Sequence, residues 1–272
     1  MKPDPLAEAL RGAHHRPAPP PRAPDFALVV GAGGTLGSAL LAEALGTGGF
    51  GRVAALVRGP ITSTMRGMVP LAEAALGRGD AAAAMLALVV FERERHANGR
   101  DEAFVRPDPH ALPALAQTLH AAGVRRLVVV LPHAPALLPQ ALKAGFASHD
   151  EQAVAALDFE QLVFVRAAQD AGAAVAAPSR IERFAAWWLS QLRWMVPQRE
   201  QALRAVVLAR VVVQLARALR TAPPGTRVAP PELLWQAAQP EADAAALFEA
   251  WLQGAPGAPQ PAPSVPAPGP RR

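Results

Sequence analysis

The stretch Asp25 to Arg58, DFALVVGAGGTLGSALLAEALGTGGFGRVAALVR, decides the fold, because it contains a strand, a glycine turn, a helix and a second strand in immediate succession. Phe26 to Val30 is a short β-rich apolar run that opens directly into Gly31, Gly34 and Gly37, spaced three apart, before a helical stretch from Ser38 to Leu45. Gly31 permits a tight turn out of the strand, Gly34 omits a Cβ where an anion must approach the backbone, and Gly37 lets the helix pack closely on the sheet. The free N–H groups of the first helical turn face that anion. The pattern implies a doubly wound α/β sheet binding a dinucleotide at Gly31, Gly33, Gly34, Thr35, Leu36 and Gly37.

The second strand, Val53 to Val57, ends in Arg58 and not in Asp or Glu. An acidic residue there bonds a ribose 2′-hydroxyl, whereas an arginine pairs bidentately with a 2′-phosphate, so the expected cofactor is NADP(H).

Of the 272 residues 51% are hydrophobic, which is ample for a buried core. The net charge is +5 and the pI near 11.0, yet the 27 basic residues are scattered and only Lys2 and Lys143 are lysines. With aromatics at 5% this is compositional bias and not a phosphate-tracking stripe, and nucleic-acid binding is not expected. The absence of cysteine excludes disulfides, thiolate metal sites and cysteine nucleophiles, and it suits a reducing cytoplasm, the expected compartment. His14 and His15 lack the further ligands a metal requires. No apolar stretch is long enough for a transmembrane segment, the longest candidate, Ala205 to Val213, being interrupted by Arg210.

Four regions are expected: a Pro-rich arm over 1–24, a core over 25–178, a small helical C-terminal lobe over 179–253, and a Pro/Ala-rich tail over 254–272. Within the core, Gly59 to Pro70 has no regular pattern and Leu71 to Leu76 suggests a helix. Met85 to Phe91 and Arg126 to Leu131 are continuous apolar runs, as in strands buried on both faces of a parallel sheet. The polar stretch Glu92 to Arg106 lies where such folds bind ligands, although a charge run of this kind also suits a solvated loop. His110 to Ala122 predicts a helix closed by Gly123, Ser148 to Leu157 a helix opened by a Ser148/Glu151 capping box, and Leu162 to Val165 a strand.

Taken together, GAGGTLG at 31–37, ALVR ending at Arg58, AFVRPD at 103–108, AAGVRRLVVV at 121–130, EQAVAALDFEQLVFVR at 151–166 and LARVVVQLAR at 208–217 resemble an atypical short-chain dehydrogenase/reductase. The resemblance is to the NAD(P)H-binding, NmrA-like group, close to its Tat-interacting-protein-like oxidoreductase branch. It implies a Rossmann sheet and bound NADPH. Enzymes of this class typically use a tyrosine to move the substrate proton, a lysine four residues later and a serine after the preceding strand. This sequence holds no tyrosine; its place falls near Lys143, and Pro132 and His133 occupy the serine's neighbourhood. His133 is a candidate acid at a strand's carboxyl end, with Lys143, His149 and Glu151 nearby in sequence, and a backbone-bonded loop histidine is the alternative.

In Ser179 to Pro197, SRIERFAAWWLSQLRWMVP, one helical face carries Ile181, Phe184, Trp188 and Leu192, while Trp187 and Trp194 share the far side with Arg180 and Arg183. A covering helix, a substrate lid, or a protein partner or membrane surface would each explain the second stripe. The functional readings are therefore a NADP(H)-binding sensor or interaction protein without the catalytic tyrosine, an oxidoreductase with another proton donor, and a membrane-surface or scaffold protein with a vestigial nucleotide site.

Overall fold

A computed structural model describes residues 26–59, 61, 65–76, 84–92, 101–133, 149–168 and 203–254. Lys143, Ser148, Trp187, Trp194, the arm and nearly all of the tail lie outside the described residues.

Among the described residues seven strands form one parallel sheet: β1 (Phe26–Val30), β2 (Arg52–Val57), β3 (Met68–Ala72), β4 (Ala84–Val90), β5 (Arg126–His133), β6 (Gln161–Ala168) and β7 (Gly225–Ala229). Their order is β3-β2-β1-β4-β5-β6-β7. The chain thus winds outward from β1 in one direction, returns, and winds outward from β4 in the other. That reversal opens a crevice at the carboxyl ends of β1 and β4, where Rossmann folds bind their ligands. The described helices are α1 (Thr35–Gly46), α2 (Leu112–Ala121), α3 (His149–Ala155), α4 (Ala205–Ala218), α5 (Pro231–Ala237) and α6 (Ala244–Leu252).

The apolar runs of the central strands are continuous because both faces are covered. Ala27 and Val29 of β1, with Leu86, Leu88 and Val90 of β4, pack into a core shared with α1, α4, α5 and α6. The alternate residues, Phe26, Leu28 and Val30 with Ala87, Val89 and Phe91, face the core beneath α2 and α3. Sequence neighbours thus serve opposite cores, as the period of two in a strand requires. α2 ends as its glycine predicts: Gly123 has φ +90°, its N–H donates to the His120 carbonyl, and the Val124 N–H donates to Leu119, closing a Schellman motif.

One segment differs from expectation. Leu71 and Ala72 close strand β3, and only Glu73–Ala75 turns helically, as one 3-10 turn. Pairing to β2 with Leu56 opposite Leu71 outweighs the helical leaning of Ala-Glu-Ala-Ala, and Pro70 is tolerated because β3 is an edge strand. In the described part of 179–253, α4, α5 and α6 are joined by β7, which pairs with β6 as the seventh strand. α4 buries Leu208, Val211, Val212 and Leu215 in the α1 core, and just past its end the Arg220 guanidinium donates to the Gly49 carbonyl between α1 and β2. Within β7, Arg227 donates to the carbonyls of Pro223 (3.2 Å) and Leu252 (3.0 Å), and burial holds its pKa below the ordinary arginine value.

Candidate functional site

The glycine turn lies at the sheet's crevice, between the end of β1 and the start of α1. Gly31 has φ +91°, and a Cβ there would stand 2.3 Å from the Val90 carbonyl oxygen of β4, so both conformation and space require glycine. At Gly37 a Cβ would meet the Gly31 carbonyl oxygen at 1.8 Å, which is the close approach of helix to strand read from the spacing. Gly33 and Gly34 are half-buried, Thr35 is exposed, and the Leu36 side chain belongs to the core, leaving its backbone to serve the site.

Helix α1 begins without a cap from its own first residues. Its N-cap is Gly34, whose carbonyl accepts the first helical bond from Ser38 (2.9 Å) but which offers no side chain to the N–H groups of the first turn. Glu92 occupies that place from across the crevice: its Oε1 accepts from the Leu36 N–H at 2.7 Å and its Oε2 from the Gly37 N–H at 3.2 Å. These are the helix positions a local Ser or Asp cap would serve. The carboxylate sits in the clearance left by Gly34, where a Cβ would stand 1.7 Å from Glu92 Oε2.

Sequence alone groups Glu92 with a polar stretch and gives it no partner. The findable signal is its position, two residues past the end of β4, beside the anion site of the preceding unit. The described end of that stretch is no solvated loop. Phe104 bridges to Val57 in antiparallel fashion, the Val105 N–H donates to the Leu56 carbonyl at 3.0 Å, and Val105 is buried. Pro107 reaches the back of Gly31, its Cδ 3.3 Å from where a Cβ would be. Residues 104–107 therefore wall the crevice on the β2 side. Arg58 follows β2, held by its N–H donating to the Ala103 carbonyl (2.9 Å), with its side chain exposed.

At the other half of the crevice, His133 is the last residue of β5, in register with Ala168 of β6. Lys143, the other candidate for proton transfer, lies outside the described residues, as do Trp187 and Trp194. Glu151 is buried: its Oε2 accepts from Arg166 of β6 at 2.9 Å, with the two side chains 5% and 3% exposed, so the pair pins α3 to the sheet. Among the described residues no group of three or more His, Cys, Asp or Glu could hold a metal, and no helix is long and apolar enough to cross a membrane.

No family model and no curated protein matches the chain. Solved structures resemble it in chain course at low identity. A Rossmann-fold NAD(P)-binding family protein from Shigella flexneri is 14% identical with a TM-score of 0.43, over 75% of this chain and 96% of that one. A short-chain dehydrogenase/reductase family oxidoreductase from Burkholderia thailandensis is 16% identical with a TM-score of 0.42, over 76% and 91%. A Bordetella bronchiseptica enzyme solved in complex with NAD is 15% identical with a TM-score of 0.36, over 78% and 84%. The fold assignment itself stands on the strand order and the glycine turn.

Proposed function

We propose that this chain is a NADP(H)-binding protein of the atypical short-chain dehydrogenase type, of the NmrA-like group, working in the cytoplasm as a redox sensor or interaction protein. The observation that carries the reading is the glycine turn at the switch point. Three glycines stand where side chains would collide with the Val90 carbonyl, the Glu92 carboxylate and the Gly31 carbonyl, and the first-turn N–H groups of α1 already hold an anionic group, the Glu92 carboxylate. Gly33, Gly34 and Thr35 would hold the diphosphate, with the N–H groups of Leu36 and Gly37 donating to it. Arg58, exposed at the end of β2, pairs with the 2′-phosphate and sets the preference for NADP(H). The bound cofactor would supply a hydride. The sequence has no tyrosine to supply the matching proton, which favours binding over turnover.

A second reading, an NADPH-dependent oxidoreductase, is favoured by His133 at the carboxyl end of β5, on the edge where the nicotinamide would lie. The imidazole would then donate the proton, with Lys143 neutralising cofactor phosphate. A titration of the full chain with NADPH, NADP⁺, NADH and NAD⁺, followed by NADPH consumption with aldehydes, ketones and quinones, separates the two. Tight NADPH binding without consumption is expected, steady consumption supports the enzyme, and no binding of any of the four overturns both. Gly34→Leu is expected to remain folded and lose binding, because its side chain fills the diphosphate clearance.

A further inference from the structure

We infer that Glu92 is an internal competitor for the diphosphate: its carboxylate holds the N-terminus of α1 in the empty protein and must leave when a dinucleotide enters. This rests on the reading of the glycine turn as a dinucleotide site. The two N–H groups that a phosphate would use, those of Leu36 and Gly37, are the ones bonded to Glu92 at 2.7 and 3.2 Å. Each N–H has one proton to give, and two anions at one helix N-terminus repel each other, so carboxylate and phosphate exclude one another. The space is contested as well. The clearance at Gly34 that admits a phosphate is filled by the carboxylate, whose Cδ lies 2.6 Å and Oε2 1.7 Å from the missing Cβ.

Glu92 is placed so that it can let go. It is half-buried, and only the tip of a flexible side chain enters the turn, whereas its neighbour Phe91 is fully buried and anchored by its N–H to the Val130 carbonyl. Departure of the carboxylate therefore disturbs neither β4 nor the core. A local cap at position 34 would be permanent; α6 has one, with Asp243 accepting from the Ala246 N–H at 3.1 Å. At α1 glycine stands in that position and the cap comes from another strand, so the helix is capped when empty and open to an anion when the acid withdraws.

The consequence is a lowered apparent affinity. If the carboxylate is seated about nine-tenths of the time, apparent binding is weakened about tenfold. The test is calorimetric titration of the full chain and of E92A and E92Q with NADPH and, separately, inorganic pyrophosphate, with circular dichroism to establish the fold. NADPH is expected to bind E92A about tenfold more tightly than the unsubstituted chain, with E92Q between them because its one neutral amide oxygen still accepts from one of the two N–H groups. If E92A does not fold, E92Q carries the comparison. Equal or weaker NADPH binding by the folded variants overturns the inference. If none of the three proteins binds a dinucleotide, the dinucleotide reading fails and pyrophosphate decides. Binding by a folded variant and not by the unsubstituted chain keeps Glu92 as a competitor for an anion at α1, and any other pattern overturns it.

Discussion

Two glutamates near the sheet are satisfied in opposite ways. Glu151 on α3 is buried and faces Arg166, a charge supplied by the chain itself. Glu92 after β4 is half-buried and faces two backbone N–H groups that an incoming anion can also use. The first is a lock, since nothing in solution competes for a guanidinium that water does not reach. The second is a placeholder. A carboxylate's role therefore follows less from its burial than from whether its partner is exchangeable.

Glu151→Ala removes the carboxylate from a buried guanidinium and is expected to destabilise the protein by about 3–5 kcal/mol, measured by denaturant unfolding, whereas E151L with R166M together should cost far less. A loss below about 1 kcal/mol for the single change would make this pair as dispensable as a surface one. The glycines give the next contrast. Gly37→Ala drives a Cβ into the Gly31 carbonyl and should cost about 2–3 kcal/mol, while Gly34→Ala meets only the tip of Glu92 and should cost about 1 kcal/mol, the loss of a helix cap. Similar melting temperatures for the two variants would contradict the distinction between backbone and flexible neighbours.

On the ligand side, Arg58→Ala should weaken NADPH by about 1.5–3 kcal/mol and leave NADH nearly unchanged, as a calorimetric comparison would register. Equal losses for both would make Arg58 structural. The smallest expected effect is at His133. For a binding protein without hydride transfer, His133→Asn leaves NADPH affinity within about twofold, and a turnover that falls with this change and with rising pH near the ordinary histidine pKa of about 6.5 would favour the oxidoreductase.

The fold was legible where strands are buried on both faces. β1, β4 and β5 announce themselves as uninterrupted apolar runs, and Gly31, Gly34 and Gly37 mark the turn by their spacing. The β3 edge was harder: it contains Pro70, which an edge strand tolerates and a central strand rejects. The acids were hardest. Glu151 three residues after Ser148 satisfies a local capping pattern, yet its carboxylate meets an arginine fifteen residues on, and Glu92 meets N–H groups more than fifty residues back. Such partnerships are set by strand order, and no local window contains them.

The most direct test of the account is a crystal structure of the full chain grown with NADP⁺. The diphosphate is expected within hydrogen-bonding distance of the Leu36 and Gly37 N–H groups, the 2′-phosphate beside Arg58, and the Glu92 carboxylate withdrawn from α1. A structure in which Glu92 keeps both N–H groups while the nucleotide is absent or bound elsewhere would contradict it.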